Sequence, residues 1–304
     1  MNVLTLTATL GDKFDTVFYG FDMWVYSLFG SIQCGFMNVL AKIFTSFGDE
    51  NFIIPVALLA IILCLFKKTR KYGLALGLSI AIGTAVTNIV LKPMVLRIRP
   101  YNTLQGNAEY FGWYKFAGML SEADYSFPSG HTTGAFEIAV ASMLCLREAG
   151  YKKTSFIPPV IAFGTMCSRI YLMVHYPSDV VAGFIAGTLS GVIAFFLAKL
   201  ILVIVEKNKV LSNLNDSIDL EKLFKNRKVK KKTVSTAIVI SLFAFFLFSF
   251  VPACFEGGEK AVRCAYSGND YKCYNEAKVD DEDYPPIDGK CYCKIHWKQL
   301  SGEE

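Results

Sequence analysis

Residues Val180–Val205 read VVAGFIAGTLSGVIAFFLAKLILVIV, an apolar stretch of 26 residues with a single charge at Lys199. A helix of about 20 mostly apolar residues is long enough to cross the hydrocarbon core of a bilayer. Such a stretch is too long and too uniformly apolar for the surface of a soluble protein. It therefore predicts a membrane-spanning helix.

The rest of the chain has the same character. Of its 304 residues, 53% are hydrophobic and only 19% are charged, and the charges cluster between long apolar runs. This composition is typical of membrane proteins. We therefore predict an all-α, polytopic membrane helix bundle with about six transmembrane helices and a small Cys-rich extracytoplasmic tail. The predicted spans are Phe52–Phe66, Tyr72–Val95, His131–Leu146, Phe156–Val174, Val180–Val205 and Val234–Val251.

A seventh crossing depends on residues 17–47. This segment is rich in aromatic residues and has no charge between residues 23 and 41. Asp15 and Asp22 suit a helix that lies along the membrane interface instead, and we favour this second interpretation. Residues 1–15 lack the positive start and apolar core of a cleavable signal peptide.

Lysine and arginine concentrate in the links that follow the first, third and fifth predicted spans. These three links lie on one side of the membrane, and the positive-inside rule makes that side cytoplasmic. The opposite helix ends then face the extracytoplasmic side, most simply of the plasma membrane. The basic residues of the links are Lys67, Lys68, Arg70, Lys71, Arg147, Lys152, Lys153, Lys222, Lys225, Arg227, Lys228, Lys230, Lys231 and Lys232.

Three short polar segments lie at the opposite, extracytoplasmic ends of the predicted helices. They read KPMVLRIRP at residues 92–100, PSGH at 128–131, and SR at 168–169, followed by His175 and Asp179. Phosphoryl transfer needs a nucleophile, cationic and amide donors for the phosphate oxygens, and an acid for the leaving oxygen. The three segments contain all of these groups, including two of the three histidines of the chain.

The spacing within the first two segments predicts their local structure. Lys92 and Arg99 are seven residues apart, about two helical turns, so both are expected on one helix face that ends at Pro100. Pro128 suits the first turn of the next helix, and the free amides of residues 129–130 would then bind an anion.

The third segment predicts an oriented histidine. Pro177 is expected to begin a helix with Asp179 in its first turn. Asp179 can then accept a hydrogen bond from one ring nitrogen of His175 and direct the other nitrogen towards phosphorus.

Written as KxxxxxxRP, PSGH and SRxxxxxHxxxD, the segments resemble the signature of the type 2 phosphatidic acid phosphatase superfamily over about residues 52–205. The resemblance implies a membrane lipid phosphatase with no metal or other cofactor. It implies that His175 forms a phosphohistidine, that Asp179 orients it, and that His131 is the general acid. The phosphate-binding residues that it implies are Lys92, Arg99, Ser129, Gly130, Ser168 and Arg169.

Within this class we expect a polyprenyl (undecaprenyl) diphosphate as substrate, because the context DYSFPSGHT at residues 124–132 looks like that of small bacterial members. Phosphatidylglycerophosphate and phosphatidic acid are the alternatives. A vanadium haloperoxidase-like oxidoreductase and a non-catalytic lipid transporter or scaffold are more distant ones. The expected partners are the lipid substrate and the bilayer, and no nucleic acid.

The C-terminal tail is rich in cysteine. Outside the cytoplasm we favour disulfides over a zinc site built from Cys273, Cys291, Cys293 and His296. Because tail and motifs are predicted on the same side, the tail is also placed to cap the mouth of the site. The predicted organisation is an N-terminal helical segment (1–50), a phosphatase core (51–205), a basic cytoplasmic linker (206–233), an extra transmembrane helix (234–253) and the Cys-rich tail (254–304).

Overall fold

The computed structural model describes residues 9–217, 261–267, 272–278 and 283–302. Helices dominate these ranges, and two short strands, β1 (Ala261–Arg263) and β2 (Glu276–Lys278), pair antiparallel near the C-terminus. A π-helical segment, Ala85–Leu91, joins α4 to α5. The helices are α1 (Leu10–Ser31), α2 (Gly35–Thr45), α3 (Glu50–Cys64), α4 (Arg70–Thr84), α5 (Lys92–Val95), α6 (Pro100–Thr103), α7 (Ala108–Phe116), α8 (Gly130–Glu148), α9 (Ile157–Tyr171), α10 (Pro177–Lys207), α11 (Lys209–Ser217) and α12 (Lys294–Ser301).

Three helical stretches in the described ranges are long and apolar enough to cross a membrane. They are Gly35–Cys64, Arg70–Thr103 and Pro177–Lys207, and they overlap the first, second and fifth predicted spans. Helices α8 and α9 coincide with the third and fourth predicted spans but do not meet the same standard. The chain is therefore a helical membrane protein, and the count of six spans stays a prediction. Its last span, at 234–251, lies outside the described residues.

Glycines bring α10 into close contact with α8. Gly183, Gly187 and Gly191 recur every fourth residue and share one helix face. A Cβ atom at Gly187 would lie 2.5 Å from a backbone oxygen of α8, so this approach requires glycine. The N-termini of the two helices meet as a result, and the Ser129 N–H donates to the Asp179 carbonyl oxygen at 3.1 Å.

The apolar residues 17–47 are divided between two helices. Helix α1 ends at Ser31, and α2 continues through a short 3-10 turn into α3. Asp22 is 2% exposed, and it accepts a hydrogen bond from the Ser178 N–H at the start of α10. Asp22, whose charge suggested an interfacial helix, therefore forms a buried contact. The position of α1 relative to the bilayer stays a prediction.

The predicted continuous helix from Lys92 to Arg99 is wrong. Helix α5 ends at Val95, where Leu96 adopts a left-handed conformation with φ of 55°. Pro100 begins α6 instead of ending a helix. A left-handed residue terminates a helix and redirects the chain, so Lys92 and Arg99 do not share a helix face.

The described part of the C-terminal segment packs against α6, the short helix that begins at the end of the first motif segment. The Asn275 Oδ1 accepts hydrogen bonds from the Tyr101 hydroxyl at 3.1 Å and from the Asn102 amide at 2.8 Å. None of the eight cysteines in the described ranges forms a disulfide, so the expected tail disulfides are wrong for those residues. Cys254 lies outside the described residues.

Candidate active site

The three motif segments converge on the carboxylate of Glu122. Its Oε2 accepts from Arg99 Nη2 at 2.5 Å, and its Oε1 accepts from Arg169 Nη2. The same oxygens lie 4.0 Å from His175 Nε2 and 3.9 Å from His131 Nδ1. One anionic group is therefore surrounded by two arginines and two histidines.

His175 is fully buried and has different neighbours at its two ring nitrogens. Arg99 Nη1 lies 2.9 Å from Nε2. Because a guanidinium group only donates, Nε2 is the acceptor and the ring proton resides on Nδ1. Nδ1 faces the Ser126 hydroxyl at 3.5 Å and Asp179 Oδ2 at 3.7 Å. The lone pair of Nε2 therefore accepts from Arg99, and Glu122 Oε2 lies 4.0 Å from the same nitrogen.

The environment of His175 keeps its ring neutral. Burial lowers the pKa of His175 well below its usual value of 6.5, and the positive charges of Arg99 and Arg169 lower it further. A neutral imidazole, which keeps a lone pair on one ring nitrogen, is the form that acts as a nucleophile. The electrostatics of the site therefore suit the role predicted for His175.

Asp179 is fixed by several groups at once. It lies in the first turn of α10, as predicted. Its Oδ2 accepts from the Ser126 hydroxyl and, at 3.2 Å, from the Tyr176 N–H. Its Oδ1 accepts from Arg97 Nη1 at 2.6 Å. Ser126 thus lies between Asp179 and His175 and contacts both.

Arg97 has a structural role that its sequence motif does not predict. It is fully buried, and besides Asp179 it donates to Asp15 at 2.8 Å and to Asp22 at 3.0 Å. Its guanidinium carbon lies 3.7 Å from the centre of the Tyr176 ring. Its position inside the first motif segment, at the end of a membrane helix, could have indicated a functional contact, because a charged side chain there needs a partner.

Asp124 brings together the two cations of the first motif segment. Lys92 and Arg99 both form ion pairs with its carboxylate. Burial alone would raise the pKa of Asp124, but the charges of Arg99 and Lys92 outweigh it and lower that pKa to about 2. The shared Asp124 carboxylate therefore brings Lys92 and Arg99 together, whereas the sequence predicted that a common helix face would do so.

His131 lies on the open side of the site. Its side chain is 21% exposed, and its Nε2 lies 3.8 Å from Asp49 Oδ2. It can therefore exchange a proton with a bound molecule or with water, as a general acid must.

Two predicted phosphate-binding serines engage their own helices. Ser129 is the N-cap of α8, and its Oγ accepts from a backbone N–H of the first turn. Helix α8 begins at Gly130, so Pro128 precedes the N-cap and the prediction that it lies in the first turn is wrong. Ser168 donates to the carbonyl oxygen of Thr165 at 2.7 Å. Phosphate contacts of both serines stay predictions.

A cavity of about 1580 Å³ opens beside these residues. It extends from Lys92, Gly130 and His131 into the space between α3, α4 and α8, where Ile53 and Glu137 line it. It combines a mouth lined by charged side chains of both signs with a groove between helices. The C-terminal segment adds Lys278, Lys294 and Lys298 to its lining.

Comparisons with known proteins find a family model and several similar proteins. A family model described as the PAP2 superfamily matches residues 72–201, a range that contains all nine predicted site residues. An undecaprenyl-diphosphatase of Sulfolobus acidocaldarius is 33% identical over 56% of this chain and 74% of its own length. Phosphatidylglycerophosphatase B of Bacillus subtilis is 29% identical over 55% of this chain and 76% of its own length. The crystal structure of a transmembrane PAP2-type phosphatidylglycerolphosphate phosphatase from Bacillus subtilis is 25% identical, covering 62% of this chain and 89% of that one, with a TM-score of 0.49.

Proposed function

Because this chain belongs to the PAP2 superfamily, it is a membrane lipid phosphatase, and we propose that it acts through a phosphohistidine on His175. The observation that carries the proposal is the position of the Glu122 carboxylate between Arg99, Arg169 and the two histidines. Arginine binds carboxylate and phosphate oxygens with the same geometry. A substrate phosphate that replaces Glu122 and takes the hydrogen bonds of Arg99 would face His175 Nε2 on one side and His131 on another.

The first half of the reaction forms the covalent intermediate. His175 Nε2 attacks phosphorus, and the bond between phosphorus and the lipid oxygen breaks. His131 transfers its proton to that leaving oxygen. Nδ1 keeps its proton, and Ser126 and Asp179 beside it stabilise the positive charge that the ring gains.

The second half hydrolyses the intermediate. His131, now neutral, takes a proton from water, and the resulting hydroxide attacks the phosphohistidine. The bond between phosphorus and nitrogen breaks, inorganic phosphate leaves, and both histidines regain their starting protonation. Arg99 and Arg169 neutralise charge on the phosphate oxygens in both steps.

We propose a polyprenyl diphosphate as the substrate. A diphosphate carries more negative charge than a monoester, and four lysines line the cavity at its mouth, at residues 92, 278, 294 and 298. The groove between α3, α4 and α8 accepts the first part of an apolar chain. The similar protein of Sulfolobus acidocaldarius is named an undecaprenyl-diphosphatase. Phosphatidylglycerophosphate is the alternative, after the name of the Bacillus subtilis relative.

We propose further that the site faces the extracytoplasmic side of the plasma membrane. His131 lies in the first turn of α8, and the exposed Arg147 lies in the last turn of the same helix. Some 16 residues of helix separate them by about 24 Å, which supports opposite membrane sides under the positive-inside rule.

The test is phosphate release by the detergent-purified protein from polyprenyl diphosphate, phosphatidylglycerophosphate and phosphatidic acid. Release should need no added divalent cation and should be abolished in His175→Ala. Lipid transfer that survives His175→Ala, without phosphate release from any of the three, would contradict the proposal and favour a transporter.

The lysines of the C-terminal segment allow a test of substrate class. The double variant Lys294→Ala/Lys298→Ala should lower kcat/KM for the diphosphate at least about fivefold more than for a monophosphate, because only the diphosphate reaches the mouth with extra charge. Lys152→Ala, an exposed lysine beyond the far end of α8, is the matched control. Equal losses for both substrates would argue against a diphosphate.

A further inference from the structure

Four side chains of the C-terminal segment, remote in sequence from the catalytic motifs, form a compact cluster. The ligand atoms of Cys264, Cys273, Cys293 and His296 all lie within 4.8 Å of one another. All four side chains are buried. Thiols and imidazole are the groups with which proteins bind zinc.

The distances within the cluster suit one tetrahedral ion. The sulfur atoms of Cys273 and Cys293 are 4.0 Å apart. His296 Nδ1 lies 3.6 Å from the sulfur of Cys264 and 3.2 Å from that of Cys293. A zinc ion with bonds of about 2.3 Å to sulfur and about 2.0 Å to nitrogen separates its ligands by about 3.5–3.8 Å. The cluster therefore needs only small shifts to bind zinc.

The local fold places the ligands where such sites place them. Cys293 is the N-cap of α12, and His296 lies in its first turn, so a Cys-x-x-His spacing brings both to one side of the helix start. Cys264 directly follows β1, and Cys273 lies three residues before β2. A paired hairpin and a helix thus supply two ligands each.

Neighbouring groups would stabilise thiolates in this cluster. The Asn275 N–H donates to Cys273 Sγ at 3.4 Å, and its side-chain amide donates to Cys293 Sγ at 3.5 Å. The Cys293 N–H donates to Cys264 Sγ at 3.2 Å. Tyr266 stacks on the His296 ring at 3.9 Å between ring centres. Donors to the sulfurs and a fixed imidazole are the surroundings that metal ligands require.

A disulfide explains the cluster less well. A disulfide requires sulfur atoms about 2.05 Å apart, whereas the Cys273 and Cys293 sulfurs are 4.0 Å apart. Three thiols cannot all pair with one another, and a disulfide leaves the role of the inward-facing His296 unexplained. Cys291 lies nearby in sequence but is not part of the cluster.

We propose that Cys264, Cys273, Cys293 and His296 bind one structural zinc ion, which holds the C-terminal segment against the active-site mouth. Four protein ligands fill the coordination sphere, so the ion has a structural role. The described segment contains two three-residue strands and one helix of eight residues, too little to form a stable core without such a ligand.

Asn275 joins the zinc cluster to the catalytic core. It contacts two cluster sulfurs and also accepts hydrogen bonds from Tyr101 and Asn102. The same segment supplies Lys294 and Lys298 to the cavity. The ion therefore fixes the position of cationic groups at the mouth without contacting the phosphate site.

The test begins with the metal content of the full-length protein, purified in detergent without added metal or chelator. Elemental analysis should give about one zinc per chain. Cys273→Ser and Cys293→Ser should each reduce that content at least about fivefold. Cys291→Ser and Cys145→Ser, which alter cysteines outside the cluster, should retain it.

If the variants do not fold, two measurements on the unaltered chain still test for bound zinc. Cys264, Cys273 and Cys293 should resist alkylation until a chelator is added. Exchange of zinc for cobalt should produce the strong visible absorption of four-coordinate cobalt bound to thiolates. A chain without stoichiometric zinc, a disulfide mapped among these cysteines, or equal zinc loss in Cys291→Ser would overturn the proposal. Phosphate release by a zinc-free chain would leave the phosphatase proposal intact.

Discussion

Replacement of Arg97 by methionine should destabilise the protein and slow it. The guanidinium group donates to three carboxylates, of which Asp22 and Asp179 are 2% and 0% exposed. Methionine fills a similar volume but leaves both buried carboxylates without their cation. Arg97 lies two residues before the motif arginine and is not one of the residues that the KxxxxxxRP pattern specifies. The pattern alone therefore does not predict this effect.

The magnitude follows from the number of partners. Removal of one member of a buried ion pair costs about 3–5 kcal/mol. Because Arg97→Met leaves two buried carboxylates without their cation, we expect the free energy of unfolding to fall by about 5 kcal/mol. For a chain of this size each kcal/mol lowers Tm by roughly 2–4 °C, so Tm should fall by about 10–20 °C. Asp179 loses its contact at Oδ1, so kcat should also fall at least about tenfold.

The assay is thermal unfolding in detergent micelles, combined with kcat on the preferred lipid. Arg147→Met, at the exposed end of α8, is the matched control and should change stability by less than about 0.5 kcal/mol. The double variant Arg97→Met/Asp22→Asn should recover at least about 1 kcal/mol of the loss, because it removes one of the stranded charges. A Tm for Arg97→Met within about 2 °C of that for Arg147→Met would show that Arg97 does not stabilise the buried carboxylates.

Three further predictions concern the phosphate site, its pH dependence and the helix contact that supports it. Glu122→Gln should lower the inhibition constant of inorganic phosphate about tenfold, because the anion no longer displaces a charged carboxylate whose hydrogen bonds are worth about 1.5–3 kcal/mol each. Since burial lowers the pKa of His175 well below 6.5, kcat/KM should show no acid limb as pH falls through 6.5 and should decline only at lower pH, where the His175 ring gains a proton. Gly187→Leu should cost about 1–3 kcal/mol and reduce kcat, because its side chain meets the Thr133 carbonyl oxygen and separates α8 from α10.

Each of these predictions has a control or a contrary result. Glu109→Gln, on the exposed face of α7, should leave phosphate inhibition unchanged, and an unchanged inhibition constant in Glu122→Gln would show that the carboxylate does not compete. An acid limb centred at or above pH 6.5 would contradict the neutral, buried state of His175. Gly20→Leu, where a side chain meets no atom within 4 Å, should be tolerated; equal stability of Gly187→Leu would contradict the close helix contact.

The membrane helices and the family were predictable from sequence because both depend on local patterns. Long apolar runs are a direct consequence of the bilayer thickness, and the three motif segments identify the family without knowledge of their contacts. The family is confirmed. The roles of His131, His175 and the phosphate-binding residues stay proposals, to be tested by the experiments above.

The contacts among the motifs were less predictable, because carboxylates far apart in sequence determine them. Helical periodicity suggested that Lys92 and Arg99 share a face, whereas the left-handed Leu96 breaks the helix and Asp124 brings the two side chains together. Glu122 lies in a loop with no periodic pattern, so its position between the arginines could not be read from spacing.

Long-range pairing also explains the other differences. Asp22, a charge in an apolar segment, suggested an interfacial helix but is a buried partner of Arg97. In the tail, the predicted extracytoplasmic position favoured disulfides, whereas the structure groups Cys264 with Cys273, Cys293 and His296 and leaves Cys291 outside. In both cases only the fold showed which residues meet.

The most direct test of the account is to trap the covalent intermediate. Purified protein is mixed with lipid substrate labelled in the phosphate that is released, quenched within milliseconds under alkaline conditions that preserve phosphohistidine, and digested for mass spectrometry. The chain has only three histidines, so assignment is unambiguous. We expect label on His175 and none in His175→Ala; label on another residue, or full phosphate release by His175→Ala, would show that His175 is not the nucleophile.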